Sequence, residues 1–336
     1  MTTKTTNDDR VRWGILGCGD VTEVKSGPAF DRIAGATRVA VMRRDADKAR
    51  DYAQRHGVPR WYSDADELIA DPDVDAIYIA TPPDSHMEYT LRAAGAGKPV
   101  YVEKPMARTH DECERMIDAC RDADVPLFVA YYRRRLPTFV KARDLIEEGA
   151  IGELRFANVT LIGPPADNHL DSSQLPWRVL PEISGGGLFF DVGSHQLDLL
   201  DFLLGPISSA RGHAVNQAGL YPAEDAVSAS FEFESGAIGS GTWCFTLSAG
   251  SSVDRIDIVG SRGRISFSTF ELDQPLTLAR ASAEPEQFLL PPPAHVQEPL
   301  IRTIVEALQG HGSCPSTGVT AARTSHVMDC VVASRS

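Results

Sequence analysis

"WGILGCGDVTE" (residues 13–23) is an apolar run that stops abruptly at Gly17-Cys18-Gly19. A buried strand followed at once by two glycines lets the backbone turn tightly and approach a pyrophosphate, with the next helix N-terminus facing it. A bare glycine pair is more often only a turn. Its position after the first strand, at the head of a strand–helix series, makes it a dinucleotide-binding turn. Thr22 stands where the third glycine of the fingerprint would be. Gly17 and Gly19, with Asp20 and Val21 after them, are the expected cofactor-binding turn.

Outward from this turn the first third of the chain alternates. Apolar, β-branched runs predict strands over 12–16, 38–42, 76–80, 100–103 and 127–130. Helical patterns lie between them over 45–56, 64–70, 85–94 and 110–122. Thr109 with Glu112 predicts a capping box for the last of these. Such alternation implies an α/β, doubly wound Rossmann domain built on a parallel sheet, over 11–132, preceded by a flexible tail over 1–10. After Tyr131 the pattern changes. A helix over 137–148 and a strand over 153–162 lead into a Pro/Gly/Asp-rich loop over 163–181. Strand-like runs then follow over 213–217, 226–234, 237–245, 255–259 and 263–268, with closing helices over 298–308 and 318–334. Residues 133–336 are thus expected to form an α+β domain on an open, mainly antiparallel sheet.

The second predicted strand ends in "VAVMRRDAD" (39–47). An acid at this point would hold the ribose hydroxyls of NAD. Arg43 and Arg44 occupy the place instead, and guanidinium groups suit a 2′-phosphate through charge-assisted contacts, so NADP is favoured over NAD. Asp45 is then either a helix N-cap or itself the ribose acid. "ATPPDSH" (80–86) follows the strand over 76–80, and Thr81, Pro82 and His86 are expected to wall the nicotinamide half of the crevice.

The chain has 336 residues, 43% of them hydrophobic, and a net charge of −13. No apolar run approaches a membrane span, and the first ten residues contain no signal-peptide core. The acidic balance argues against a nucleic-acid partner, because phosphate binding needs a basic face. The six cysteines have no zinc spacing and read as reduced thiols, so no metal is expected and the location is expected to be cytoplasmic.

"GGGLFFDVGSHQLDLLDFLLG" (185–205) reads as a mostly apolar helix that puts Asp191, His195 and Asp198 on one face, at offsets of four and three. With Gly17-Cys18-Gly19, "TPPDSH" (81–86) and "EKPMA" (103–107), it closely resembles the glucose–fructose oxidoreductase, inositol dehydrogenase and rhizopine-catabolism family (Gfo/Idh/MocA). The likeness runs to the C-terminal "PSTGVTAARTSHVMD" (315–329) and departs at Thr22 and Arg43.

The resemblance implies a Rossmann domain followed by a domain whose open sheet serves subunit association, hence a homodimer or homotetramer. It also implies hydride transfer between nicotinamide and a sugar, polyol or sugar derivative. Lys104, Asp191 and His195 are the implied catalytic set, and Glu103 and Lys104 also border the cofactor. His195 would accept the hydroxyl proton, Lys104 would bond the reacting oxygen, and Asp191 would orient the substrate or His195. Asp198 reads as a structural partner or a cap contact rather than a catalytic group. Arg133, Arg134, Trp177 and Arg178 lie in segments that resemble the pocket border; they bind a sugar hydroxyl, carboxylate or phosphate, or they form interdomain salt bridges and core. Relatives of two other kinds remain as alternatives: NAD-dependent glycoside hydrolases and non-catalytic dinucleotide sensors. A sensor has no need of the Lys104, Asp191 and His195 set.

Overall fold

The computed structural model describes residues 10–281 and 283–333. The expected flexible tail therefore lies, except for Arg10, outside the described residues. The first domain runs β1 (Val11–Leu16), α1 (Asp20–Val24), α2 (Gly27–Asp31), β2 (Ala36–Met42), α3 (Ala46–His56), β3 (Arg60–Tyr62), α4 (Ala65–Ala70), β4 (Ala76–Ile79), α5 (His86–Gly95), β5 (Val100–Val102), α6 (His110–Asp122) and β6 (Leu127–Val129). Its six strands pair in parallel in the order β3-β2-β1-β4-β5-β6. The order reverses between β1 and β4, and the C-terminal ends of those strands open a crevice there. β4, β5 and β6 are buried at every position, as a sheet covered on both faces requires.

Local signals place the helices around this sheet. Asp45 accepts the Lys48 amide at 3.1 Å and starts α3, and Gly57 ends it in the left-handed region at φ 63°. Thr109 caps α6 by accepting the Glu112 amide. The reciprocal half of the expected capping box is absent, because the Glu112 carboxylate accepts from the amide and guanidinium of Arg108 instead. An i,i+4 pair in which both partners are charged takes the place of the bond to the cap amide.

The second domain runs α7 (Pro137–Glu147), β7 (Leu154–Ile162), α8 (Pro181–Ser184), α9 (Ser194–Leu204), β8 (Ile207–Val215), β9 (Ala226–Phe233), β10 (Ile238–Cys244), β11 (Val253–Gly260), β12 (Gly263–Phe267), β13 (Leu276–Arg280), β14 (Glu286–Phe288), α10 (Glu298–Leu308) and α11 (Gly318–Val332). Eight strands form one sheet in the order β14-β13-β12-β11-β7-β10-β9-β8, antiparallel except where β7 meets β10. Val227, Ala229, Phe231 and Phe233 of β9 are buried in the same core as Leu199 and Leu200 of α9. Alternate β9 residues Ser228, Ser230 and Glu232 are exposed on the other face.

The two closing helices also bind the first domain. α10 contacts α2, α11 packs on both α6 and α9, and Ala321 and Ala322 of α11 sit in the core of the parallel sheet. The C-terminal segment thus fastens the two domains together.

One expected helix is not a single helix. Between α8 and α9 the chain bends at Gly185 and Gly186, and Phe189–Gly193 forms a π-helical turn before α9 begins. The Ser194 amide reaches back to the Phe189 carbonyl across this widened turn. Gly193 allows it, since a Cβ there would lie 2.8 Å from the Phe189 ring and 3.2 Å from Trp243 Nε1. Asp191 is on the π turn, whereas His195 and Asp198 are on α9.

Candidate active site

A cleft of about 750 Å³ opens at the β1–β4 reversal and continues to the π turn and the start of α9. Gly17 holds φ 91°, and a Cβ there would stand 2.9 Å from the Thr81 amide nitrogen, so only glycine permits this crossing. A Cβ on Gly19 would meet nothing within 4 Å, and the residue borders the open cleft. These positions leave the backbone bare at the head of α1, as close approach of a pyrophosphate requires. Asp20, Val21, Thr81, Pro82 and Glu103 also line the cleft. The residues present fit a dinucleotide.

Thr22 accounts for its departure from the glycine fingerprint. It is fully buried, its hydroxyl donates to the Gly19 carbonyl at 2.7 Å, and its own carbonyl accepts from the Tyr52 hydroxyl at 3.0 Å. The helix after the turn consequently stops at Val24 and restarts as α2.

At the adenosine end, Arg43 and Arg44 both line the cleft, and Arg43 Nη1 donates to the Cys18 carbonyl at 3.2 Å. Asp45 also lines it, with its carboxylate engaged by the Lys48 amide and by Lys48 Nζ at 3.5 Å.

His86 is placed differently from the sequence expectation. It is fully buried behind the cleft wall rather than in it. Its Nε2 lies 2.8 Å from the Thr81 carbonyl, and Nδ1 lies 3.1 and 3.2 Å from the carbonyls of Pro105 and Met106. It ties the Thr81 loop to the segment after Lys104. Burial holds its pKa below the ordinary histidine value against those carbonyls.

At the other end, Lys104 follows β5 and precedes a cis peptide bond to Pro105. Its Nζ donates to Asp191 Oδ1 at 2.6 Å and to the Asp191 carbonyl at 2.8 Å, which leaves one ammonium N–H for a ligand. Asp191 Oδ2 pairs with Arg178 Nε at 3.1 Å, and Arg178 stacks on Trp177 at 4.5 Å. Burial pushes the Asp191 carboxyl up, but Lys104 and Arg178 overcome it and hold it below the usual range. Glu103, beside Lys104, accepts from the Tyr78 hydroxyl at 2.6 Å and from Gln297 Nε2 at 2.7 Å.

His195 is 4% exposed and is met edge-on by the rings of Tyr131, Tyr132 and Phe270 at 5.9, 5.5 and 5.9 Å. Burial, reinforced by Arg133, Lys104 and Lys25, holds its pKa well below the ordinary value, so the ring is neutral at neutral pH. Its Nδ1 is buried and meets no acceptor or donor among the described residues.

Of the other predicted positions, Arg133, Trp177 and Arg178 line the cleft. Arg134 does not; it is buried on Asp198 and Asp201, at 2.7 and 3.0 Å, and is a structural cation. Asp198 is its partner, as the sequence reading expects. Lys25, Tyr132, Phe270 and Gln297 line the cleft without having been singled out from the sequence. Phe270 and Gln297 come from loops after β12 and before α10, where nothing local marks them. Tyr132 had a signal, as the neighbour of Arg133.

Comparison with known proteins agrees with this architecture. Residues 11–131 match the description "Oxidoreductase family, NAD-binding Rossmann fold" and residues 139–266 match "GFO/IDH/MocA C-terminal domain". Oxidoreductase P35 of Formosa agariphila is 38% identical over 96% of this chain and 98% of its own. 1,5-Anhydro-D-fructose reductase of Ensifer adhaerens is 31% identical over 91% of each. Among solved structures, levoglucosan dehydrogenase in complex with NADH and levoglucosan superposes with a TM-score of 0.85 at 27% identity, covering 97% of both chains. The chain belongs to the Gfo/Idh/MocA family of oxidoreductases, with the family's NAD-binding Rossmann fold.

Proposed function

We propose that this protein transfers a hydride between NADP and a sugar, polyol or sugar-derived alcohol or carbonyl. The observation that carries the reading is the Lys104–Asp191–His195 constellation at the end of a dinucleotide cleft. The nicotinamide, when bound, supplies the hydride acceptor or donor. His195 is neutral and takes the hydroxyl proton as the alcohol becomes a carbonyl, or returns it in reduction. Lys104 directs its remaining N–H at the reacting oxygen and stabilises the negative charge that develops there. Asp191 orients rather than titrates: it fixes the Lys104 ammonium and draws Arg178 and Trp177 to the cleft mouth. Glu103, clamped by Tyr78 and Gln297, sets the path of the backbone into Lys104.

Preference for NADP rests on Arg43 and Arg44 at the adenosine end, together with the engagement of Asp45 as the cap of α3. The outer face of the eight-stranded sheet, where Ile238 and Phe156 are paired neighbours and both exposed, supports a homodimer or homotetramer. The test is a panel of polyols, ketoses and sugar acids assayed with NADP and with NAD by the absorbance of the reduced nicotinamide. Turnover with a member of the panel is expected, faster with NADP. Cofactor binding with no turnover across the panel in either direction would sink the reading.

A further inference from the structure

Arg133 is 4% exposed, yet among the described residues it forms no ion pair. Its neighbours differ: Arg134 pairs with Asp198 and Asp201, and Arg178 with Asp191. Arg133 has one protein hydrogen bond, from Nε to the Thr269 carbonyl at 3.0 Å. Its guanidinium carbon stands 4.5 Å from the centre of the Phe270 ring and 5.0 Å from that of Tyr132. Nη1 is buried and finds no protein acceptor. A buried cation without a counter-ion is costly, and aromatic faces offset only part of that cost.

The arginine is also held in place. Trp243 Nε1 donates to Gln196 Oε1 at 2.7 Å, Gln196 Nε2 donates to the Thr269 hydroxyl at 3.2 Å, and the Thr269 carbonyl receives Arg133. The chain from β10 through α9 to the loop after β12 therefore fixes the guanidinium at the cleft. The two rings that flank it, Tyr132 and Phe270, also flank His195. The cation thus sits beside the group assigned the proton. The cleft as a whole is lined by seven cationic side chains and four carboxylates, in a chain whose net charge is −13.

We infer that the substrate is a sugar acid whose carboxylate pairs with Arg133 beside His195, an inference that rests on the oxidoreductase reading above. With Nε engaged on Thr269 and aromatic rings against the guanidinium, a ligand meets its remaining N–H edge. A planar carboxylate matches that edge with two parallel bonds. A phosphate dianion needs further donors out of that plane; Lys104 has a single N–H left, which the reacting oxygen takes, and Arg178 is drawn to Asp191 through Nε. A neutral hydroxyl would satisfy one N–H and leave the charge uncompensated.

The test is calorimetric titration of the NADP-loaded protein with D-gluconate and D-galacturonate, with the neutral partners D-sorbitol and D-galactose, and with D-glucose 6-phosphate. Wild type is expected to bind an acid at least about tenfold tighter than its neutral partner, with Arg133→Met reducing that ratio to near one and Arg133→Lys falling between. The wild-type ratios decide the matter even if Arg133→Met does not fold. Equal binding of acid and neutral partners, no binding of any probe, or a preference for the phosphate ester would overturn the assignment. Nicotinamide reduction in the same samples keeps the two readings apart. Turnover of a neutral sugar without acid preference overturns the sugar-acid assignment alone, whereas tight carboxylate binding without hydride transfer supports it and counts against the oxidoreductase reading.

Discussion

His195 and Arg43 show how single side chains commit the site. His195 sits among aromatic edges with its pKa held well below the ordinary value by burial. A base must be unprotonated to accept the alcohol's proton, so kcat/KM for oxidation should stay level from pH 8 down to about 6.5, the ordinary histidine pKa, and fall only below it. A pH profile whose acidic limb lies above about 6.5 would count against His195 as the base. His195→Ala should remove that limb and lower turnover by about a hundredfold. The same shift bears on stability. His86 and His195 are both neutral in the fold, so the unfolded chain takes up protons before the native state does. Their contribution is complete above about pH 6.5 and is lost as pH falls toward their depressed native values. At the far end, Arg43 and Arg44 should favour NADP over NAD by roughly one to two orders of magnitude, the worth of one or two partly exposed charge-assisted bonds. Arg43→Asp should reverse the preference by placing a carboxylate at the ribose hydroxyls. Titrating both cofactors into the two proteins checks it; tighter NAD binding by wild type would assign the ribose to Asp45.

At the scale of elements, the junction between domains is an ion cluster. Arg134, just after β6, holds Asp198 and Asp201 of α9, and Arg323 of α11 holds Asp201 from the other side. Arg134→Met leaves the buried Asp198 carboxylate without a cation, while Asp201 keeps Arg323, so it should lower stability by about 3–5 kcal/mol. Thermal or denaturant unfolding measures this, and a change under about 1 kcal/mol would mean that the cluster is solvated. The elements differed in how legible they were. β4, β5 and β6 are full apolar runs, β1 and β2 are mostly apolar ones, and all five could be read directly. β3, β13 and β14 could not: β3 and β14 are three-residue edge strands, β13 has five residues, and so little alternation does not fix a period. The apolar helix carrying Asp191 and His195 was visible, but its π turn was not. That turn depends on Gly193 packing against Phe189 and Trp243, the latter fifty residues on, and no local pattern encodes it. The residues proposed as catalytic were legible because they stand in motifs. Phe270 and Gln297 reach the cleft only through tertiary packing, and His86 carried a motif but serves behind the wall.

For the whole molecule, two cores and a returning C-terminal segment place a nucleotide crevice against a sheet domain, and the cleft between them gathers positive charge in an acidic protein. The outer face of the eight-stranded sheet should be buried in a subunit interface, so light scattering at micromolar concentration should report a dimer or tetramer; monomer alone would contradict this. The central claim is that Lys104, fixed by Asp191, acts on the reacting oxygen at the end of the dinucleotide cleft. The measurement that reaches it most directly is turnover of wild type and Lys104→Met with NADP and a substrate found in the panel of polyols, ketoses and sugar acids, with cofactor affinity measured on the same preparations. Turnover should fall by at least about a hundredfold while NADP affinity stays within a few-fold of wild type, the pattern of a lost electrostatic or proton-relay group. Unchanged turnover at saturating substrate would contradict the account.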